Sequence, residues 1–526
     1  QAHPAGPGLP REEPSAAALI VMASSYRHRA CLIGTGTRPG SFGQRDEAGA
    51  ASASCPRLGV GVVAPFAAQT RTEMTMSTHN GEKRETGADE QEQGSSKKPN
   101  RSRRWAFLTL ALPIALLAWS CAPKASLPVT PTSKLAIGDA VIAVQLGEAR
   151  SQSGLENPIQ NNLVALVDAQ GEQEIVRIDN QSEGKILWSD RGITFGSAQW
   201  EYQTTENGTS SQETKEWRAS DAQRYALSDG RFIVVSYESD LGYRVDTIEL
   251  DGSIASVSTP GTRGDMGQCG DRILSIVDTE QLWRRKQEAL EAYAAQSGGD
   301  GEQPEELSVV IQLNDRDGDT PRIVSVAPMI DGLVSGQTQF DCEGDVITMP
   351  SVQAADPEKA RKVTDGKPEG ILVLQRWDLS TGQRAIIPVI DEQGNSIELN
   401  SELNIFRYKG VRVGNQYMFI SEDGDAFSID LESGQGRHLF SYYGTRTSGQ
   451  MVYQVSETGV YALEGRREDH NVTLSYRPWD GGAYRDVITM DKLADYVWLE
   501  GGFMSSGHWR RIESFSLRPG WDGGAQ

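Results

Sequence analysis

Cysteine and histidine are scarce in this chain, five and six in 526 residues. No two cysteines form a Cys-x-x-Cys pair, which excludes a thioredoxin-type redox centre and a structural zinc site. The histidines beyond the first hundred residues, His438, His470 and His508, show no ligand spacing and read as surface or strand residues. A Gly-x-Ser-x-Gly elbow and a glycine-rich phosphate loop ahead of a helix are also missing from the body of the chain, so two common catalytic frameworks drop out. Positive charge is short as well: 51 Lys and Arg stand against 72 Asp and Glu, a net −21. An acidic surface disfavours nucleic acid and anionic lipid, because phosphate binding needs clustered cations. Long apolar runs are reduced to one, at residues 105–120.

That run carries the most information. It sits in KKPNRSRRWAFLTLALPIALLAWSC, residues 97–121, behind the cations Lys97, Lys98, Arg101, Arg103 and Arg104. A basic n-region, a short apolar h-region and small closing residues are the layout of an export signal. The run contains Pro113 and falls short of the roughly 20 residues of a spanning helix. Ending at Cys121, it resembles a bacterial lipoprotein signal, which implies lipid on that cysteine; simple secretion and an uncleaved signal anchor are the alternatives. The mature chain is expected outside the cytoplasm, attached to the cell membrane of a bacterium.

Residues 1–96 read as a disordered leader, polar and without a hydrophobic period. Within it, residues 1–73 read as an over-extended start, with translation opening at Met74 or Met76. Residues 122–137 read as a linker.

From residue 138 to about 520, short apolar runs rich in Val, Ile, Tyr and Phe alternate with turn clusters (NLVALVD, RFIVVSYE, GILVLQRW, YVWLEG), the pattern of an all-β fold. A recurring turn follows a strand that ends in an acidic residue, as at Asp168, Glu249, Asp378, Asp430 and Asp480. Two further hairpins fit around Asn207-Gly208 and Asp315–Asp319. Their spacing brackets that of four-stranded propeller blades. Seven blades are expected, with eight the alternative, and strands after Ala494 are expected to complete the first blade. Two insertions interrupt the pattern. Residues 279–306 hold an amphipathic helix (Leu282, Trp283, Ala289, Leu290 and Tyr293 on one face), either a cap on the propeller or a partner-docking element. Residues 353–367 read as a charged loop.

Residues 414–434, GNQYMFISEDGDAFSIDLESG, resemble the pyrroloquinoline-quinone-like (PQQ-like) β-propeller repeat: strand, Asp-Gly turn, strand, then Asp-Leu-x-x-Gly. A partial second copy covers residues 370–383. The resemblance implies the fold more than an activity. It also sets a test that the chain fails as a quinone enzyme, since the adjacent cysteine pair typical of that group is absent. No cofactor is expected.

Cys269 and Cys342 occupy similar contexts, each before a Gly-Asp and an apolar strand. They read as disulfide partners on neighbouring repeats, the alternative being two separate buried thiols. Asp315, Asp317 and Asp319 form an alternating set that offers hard oxygens to calcium, or an ordinary acidic hairpin. The stretch 188–195 faintly resembles a sialidase Asp-box and reads as a turn. Trp188, Trp200, Trp377, Trp479, Trp498 and Trp509 read as packing between blades. No catalytic residue emerges. The expected function is a membrane-tethered scaffold binding an envelope protein, with no nucleic acid. The alternative is an extracellular enzyme or sensor for carbohydrate or peptide, with its site at the propeller axis.

Overall fold

The computed structural model describes residues 127–523, apart from 152–160, 180, 182, 215, 239–241, 260–263, 283–284, 299–302, 318–319, 336–337, 358–369, 400–406, 443–449 and 500–507. All of these belong to the second of two compact units, residues 98–526. The leader, the segment 97–121 with Cys121, and Met74 and Met76 lie outside the described residues.

Strands dominate, in antiparallel meanders arranged as a β-propeller. Sheet I joins Gln173–Ile178, Asn162–Asp168, Ala140–Ser151, His508–Leu517 and Trp498–Leu499 in that order. The two ends of the domain thus share one sheet: Ala140–Ser151 pairs antiparallel with His508–Leu517, as expected of the strands after Ala494. This pairing closes the ring and removes two free sheet edges. Sheets II (187–213), III (220–259), V (411–441) and VI (450–489) have four strands each. Sheet IV spans 265–399 and has ten.

The expectation of seven separate blades, or eight, is therefore corrected. Five sheets are blades in their own right, and the strands of sheet IV form one continuous sheet. The cause is a parallel pairing between Asp265–Cys269 and Gln339–Glu343, the leading strands of two successive meanders. Met266 pairs with Gln339 and Gly267 with Phe340. The close approach depends on glycine, because a Cβ on Gly267 would lie 2.2 Å from the Phe340 ring and 2.6 Å from its carbonyl oxygen. The disulfide Cys269–Cys342 ties the far end of the same two strands. Gly267→Ala is expected to cost about 1–3 kcal/mol through overpacking, read as a lower urea midpoint. An unchanged midpoint would show that the strands can separate freely.

Elsewhere the leading strands of neighbouring sheets stay apart, and side chains satisfy their edges. Ser514 and Ser516 Oγ accept the Ile186 and Trp188 amides, each at 3.0 Å. Gln450 Oε1 accepts the Ile512 amide at 2.8 Å, and Gln268 Nε2 donates to the Ala226 carbonyl at 2.7 Å. These bonds replace a ladder that would otherwise leave buried donors unpaired.

Around the ring, apolar clusters join each sheet to the next. One is Val144, Leu146, Leu463 and Leu474 between sheets I and VI; another is Leu374, Phe419 and Ile429 between IV and V. Each fully buried Leu, Val or Phe contributes about 1.5–3 kcal/mol. Trp377 is fully buried, and Trp188 and Trp479 are nearly so, in line with their reading as packing. Between sheets II and III the apolar cluster shrinks to Phe232, Val234 and Ile248 with a few partners. Charged groups fill the remainder.

The turn clusters fall at hairpins between the third and fourth strands of the meanders. Asp430 shows why: its Oδ1 accepts the Ser433 amide at 2.8 Å, and Gly434 takes φ +73°, which a side chain resists. The Ser433 bonds on Asp430 and the Ser380 hydroxyl on Asp378 hold both carboxyls below the usual range. These aspartates therefore shape turns.

Helix α1, Lys286–Gln296, lies in the first insertion. Leu282 and Ala289 are buried with Val309, Ile311 and Val326, and Leu290 and Tyr293 pack against the same cluster. Gln296 Nε2 fastens its end to the Val326 and Gly382 carbonyls, at 2.8 and 2.7 Å. The helix packs as a cap on this cluster, and Trp283 of the expected apolar face lies outside the described residues. The second insertion begins later than expected, because the strand Val346–Ala354 runs through Gln353. The stretch read as linker packs from residue 127: Leu135 is fully buried, and the Thr130 amide donates to the Ile175 carbonyl at 2.7 Å. Helix α2, Asp491–Val497, buries Leu493, Ala494 and Val497 beside sheets I and VI. Among the described residues no helix is long and apolar enough to cross a membrane.

Candidate functional site

Opposite charges converge on a cavity of about 150 Å³ between the two halves of sheet IV. Asp265 opens the strand Asp265–Cys269 and is 5 % exposed. Its carboxylate accepts the Thr338 amide at 2.7 Å and the Ser335 hydroxyl. Burial pushes this carboxyl up to about 7; those two hydrogen bonds and the more distant Arg384 only partly oppose it.

Arg384, on the strand Gln383–Pro388, lines the same cavity. Among the described residues its guanidinium bonds neutral acceptors only: Gln375 Oε1 at 2.6 and 3.1 Å, Ser308 Oγ at 3.1 Å and the Pro328 carbonyl at 3.3 Å. It also stacks 4.8 Å over Trp377. Burial brings it down to about 10, against the pull of Asp265. Asp278 completes the polar wall. Burial raises it, with Glu280 and Glu306 adding to the effect, while the Gln281 amide bonds its Oδ1 at 2.7 Å. Ile276, Val277 and Leu333 form an apolar side.

A second polar cluster lies between sheets II and III. Arg218, Arg244 and Asp246 are fully buried, with Glu201, Asp221 and Arg224 nearly so. Asp246 receives Arg218 Nε at 2.8 Å and Arg244 Nε at 2.8 Å. Glu201 receives Arg218 at 2.7 Å and also binds Arg224, which grips Asp221 at 2.7 and 2.9 Å. Burial alone would lower the Arg218 guanidinium; Glu201, Asp246 and Asp221 outweigh it and raise it. The groups neutralise one another and show the features of a structural core.

Beside that cluster stands Trp217, which is 60 % exposed. The Thr214 and Arg218 amides bond the Gln199 and Ala198 carbonyls at 2.7 and 2.8 Å, and Glu216 faces Arg244 at 3.4 Å. A large indole is thus exposed to water next to backbone bonded to sheet II.

Of the residues singled out from sequence, Cys269 and Cys342 are joined as a disulfide. Asp315 faces Arg322 at 3.3 Å, Asp317 ends its strand, and Asp319 lies outside the described residues. Among the described residues no three His, Cys, Asp or Glu side chains form a group able to hold a metal ion. His438 and His470 each contact one aspartate, Asp425 at 3.2 Å and Asp495 at 2.9 Å. Ser189 to Gly192 of the Asp-box-like stretch is the hairpin that joins two strands of sheet II. Asp265, Arg384 and Trp217 carry no motif and escaped the sequence reading.

No family model and no curated protein sequence matches the chain. Several solved propellers resemble it loosely. BamB from Moraxella catarrhalis shares 13 % identity, with 67 % of this chain and 86 % of that one covered at a TM-score of 0.34. A quinoprotein alcohol dehydrogenase-like protein from Bacteroides thetaiotaomicron shares 9 %, covering 75 % and 98 % at 0.33. The Pan2 WD40 domain of Neurospora crassa shares 11 %, covering 63 % and 85 % at 0.34. Overlaps this loose assign no function.

Proposed function

We propose that this chain is an exported β-propeller, tethered to the bacterial cell membrane by lipid on Cys121, that serves as a protein-binding scaffold at the envelope. Trp217 is the observation that carries the binding half. Interface anchors are large, rigid and enriched in Trp, because an ordered side chain has little conformational entropy left to lose on association. Trp217 has the size and exposure of such an anchor: it stands in water next to Arg218, whose amide and guanidinium are bonded to sheets II and III. The export signal and the Cys269–Cys342 disulfide support the compartment, since such bonds persist where the surroundings oxidise.

The test is capture of the full-length chain from gently solubilised membranes by a C-terminal tag. A near-stoichiometric envelope partner is expected with the wild type. With Trp217→Ser it is expected to fall by about 30-fold, the effect of losing about 2 kcal/mol at an anchor. A solitary wild-type preparation would sink the scaffold reading; a partner indifferent to Trp217→Ser would remove the tryptophan from it.

A further inference from the structure

We infer that the cavity between the two halves of sheet IV binds a short-chain amino-acid zwitterion, with Arg384 receiving its carboxylate and Asp265 and Asp278 its ammonium. The argument begins from charges that share a space without meeting. Among the described residues, every bond made by the Arg384 guanidinium goes to a neutral oxygen, of Gln375, Ser308 or Pro328. Asp265 is served by a hydroxyl and an amide, again neutral. Burying an ion without a matched partner is costly; Asp265 is buried, Arg384 is partly buried, and both border one cavity.

A molecule with a single charge answers only half of this arrangement. Acetate would match Arg384 but face two carboxyls, and ethylammonium would match the carboxyls but face Arg384. A zwitterion satisfies both ends at once, so the site selects by repulsion as well as attraction. The volume, near 150 Å³, matches that of cavities able to take up one small organic molecule. That admits a small amino acid and leaves Ile276, Val277 and Leu333 to cover a short alkyl segment. The cavity lies in sheet IV and Trp217 beside sheets II and III, so this proposal stands apart from the scaffold reading.

Isothermal titration of the full-length chain with glycine, alanine, β-alanine and 4-aminobutyrate tests it, with acetate and ethylammonium as single-charge probes. At least one amino acid is expected to saturate at one site per chain. The single-charge probes should bind about tenfold weaker or worse, the effect of one lost charge-assisted pair. Arg384→Gln and Asp265→Asn should each weaken the amino acid by a similar factor. Asparagine keeps an acceptor for the Thr338 amide, so Asp265→Asn isolates charge from folding, and a urea midpoint at or above wild type confirms that. No saturation by any amino acid up to about 10 mM, acetate binding as well as the amino acids, or undiminished binding in Asp265→Asn would each overturn the proposal.

Discussion

Asp246→Ala is expected to destabilise the propeller by about 3–5 kcal/mol, the usual result of removing one partner from a buried ion pair. Asp246 is fully buried and holds two guanidinium groups that are themselves fully buried, Arg218 through contacts at 2.8 and 2.6 Å and Arg244 at 2.8 Å. Without it, Arg218 keeps Glu201. Arg244 keeps Ser256 at 2.9 Å and Glu216 at 3.4 Å, and Glu216 is largely in solvent. Arg218 and Arg244 would then lose the carboxylate they share, in a medium that solvates cations poorly.

Burial by itself would raise the Asp246 carboxyl, but Arg218, Ser256 and Arg244 overcome it and hold the group below its ordinary value. Its stabilising effect is therefore complete above the ordinary carboxylate range. It fades as pH falls through the lower value of the folded state. Urea unfolding followed by tryptophan fluorescence at neutral pH measures the loss. A change under about 1 kcal/mol, the range of an exposed pair, would show that water reaches the cluster. Replacing Asp246 and Arg244 together by apolar residues should cost less than Asp246→Ala alone, because Arg218 and Arg224 then balance Glu201 and Asp221.

The same cluster shows what could be read from sequence and what could not. The turns were legible because their cause is local: Asp430 caps amides two and three residues on, and Gly434 supplies the positive φ. The disulfide was legible because Cys269 and Cys342 lie at matching places in two repeats. The closing strand was legible as the run after Ala494, although Asp495–Val497, read with it as strand, belong to helix α2. Glu201, Arg218, Arg224 and Asp246 look like ordinary surface charges in an acidic chain, and only packing between sheets II and III buries them. One signal was present. In GYRVDTI, Arg244 and Asp246 share a strand face with opposite signs inside an otherwise apolar run, which suits an internal ion pair better than a wet surface. The fusion of sheet IV hung on Gly267 meeting Phe340, a contact distant in sequence that no period encodes. Trp217 escaped because exposure is a tertiary property. The helix expected over 279–296 ends where it was read but starts only at Lys286, leaving Leu282 in the turn before it, and only the structure shows sheet IV packed against it.

Asp265→Asn is expected to stabilise the protein in alkaline solution, against the usual effect of altering a buried polar group. The carboxyl titrates near 7 in the folded chain and near 3.8 when free, so the native state holds its proton more tightly than the unfolded one. The sign follows directly. Asp265 is harmless to stability below about pH 4, and its penalty grows as pH rises through 7. At about 1.4 kcal/mol per tenfold, the full penalty above pH 8 approaches about 4 kcal/mol. Asparagine removes the ionisation and keeps an acceptor for the Thr338 amide; the altered bond with Ser335 costs about 1 kcal/mol. A net gain of about 2–3 kcal/mol is expected at pH 8, with a small loss at pH 4. Arg384 and Asp278 border the same cavity, so the comparison is made as a difference between variant and wild type, which cancels the pH dependence of the other acidic groups. Urea midpoints at the two pH values decide the matter. A variant less stable than wild type at pH 8 would show that Asp265 ionises without penalty, its charge met by Arg384 across the cavity. A stabilised variant would show instead that the wild-type chain keeps a costly carboxylate at this position. That cost is expected to shrink when a bound ammonium group supplies the missing positive charge.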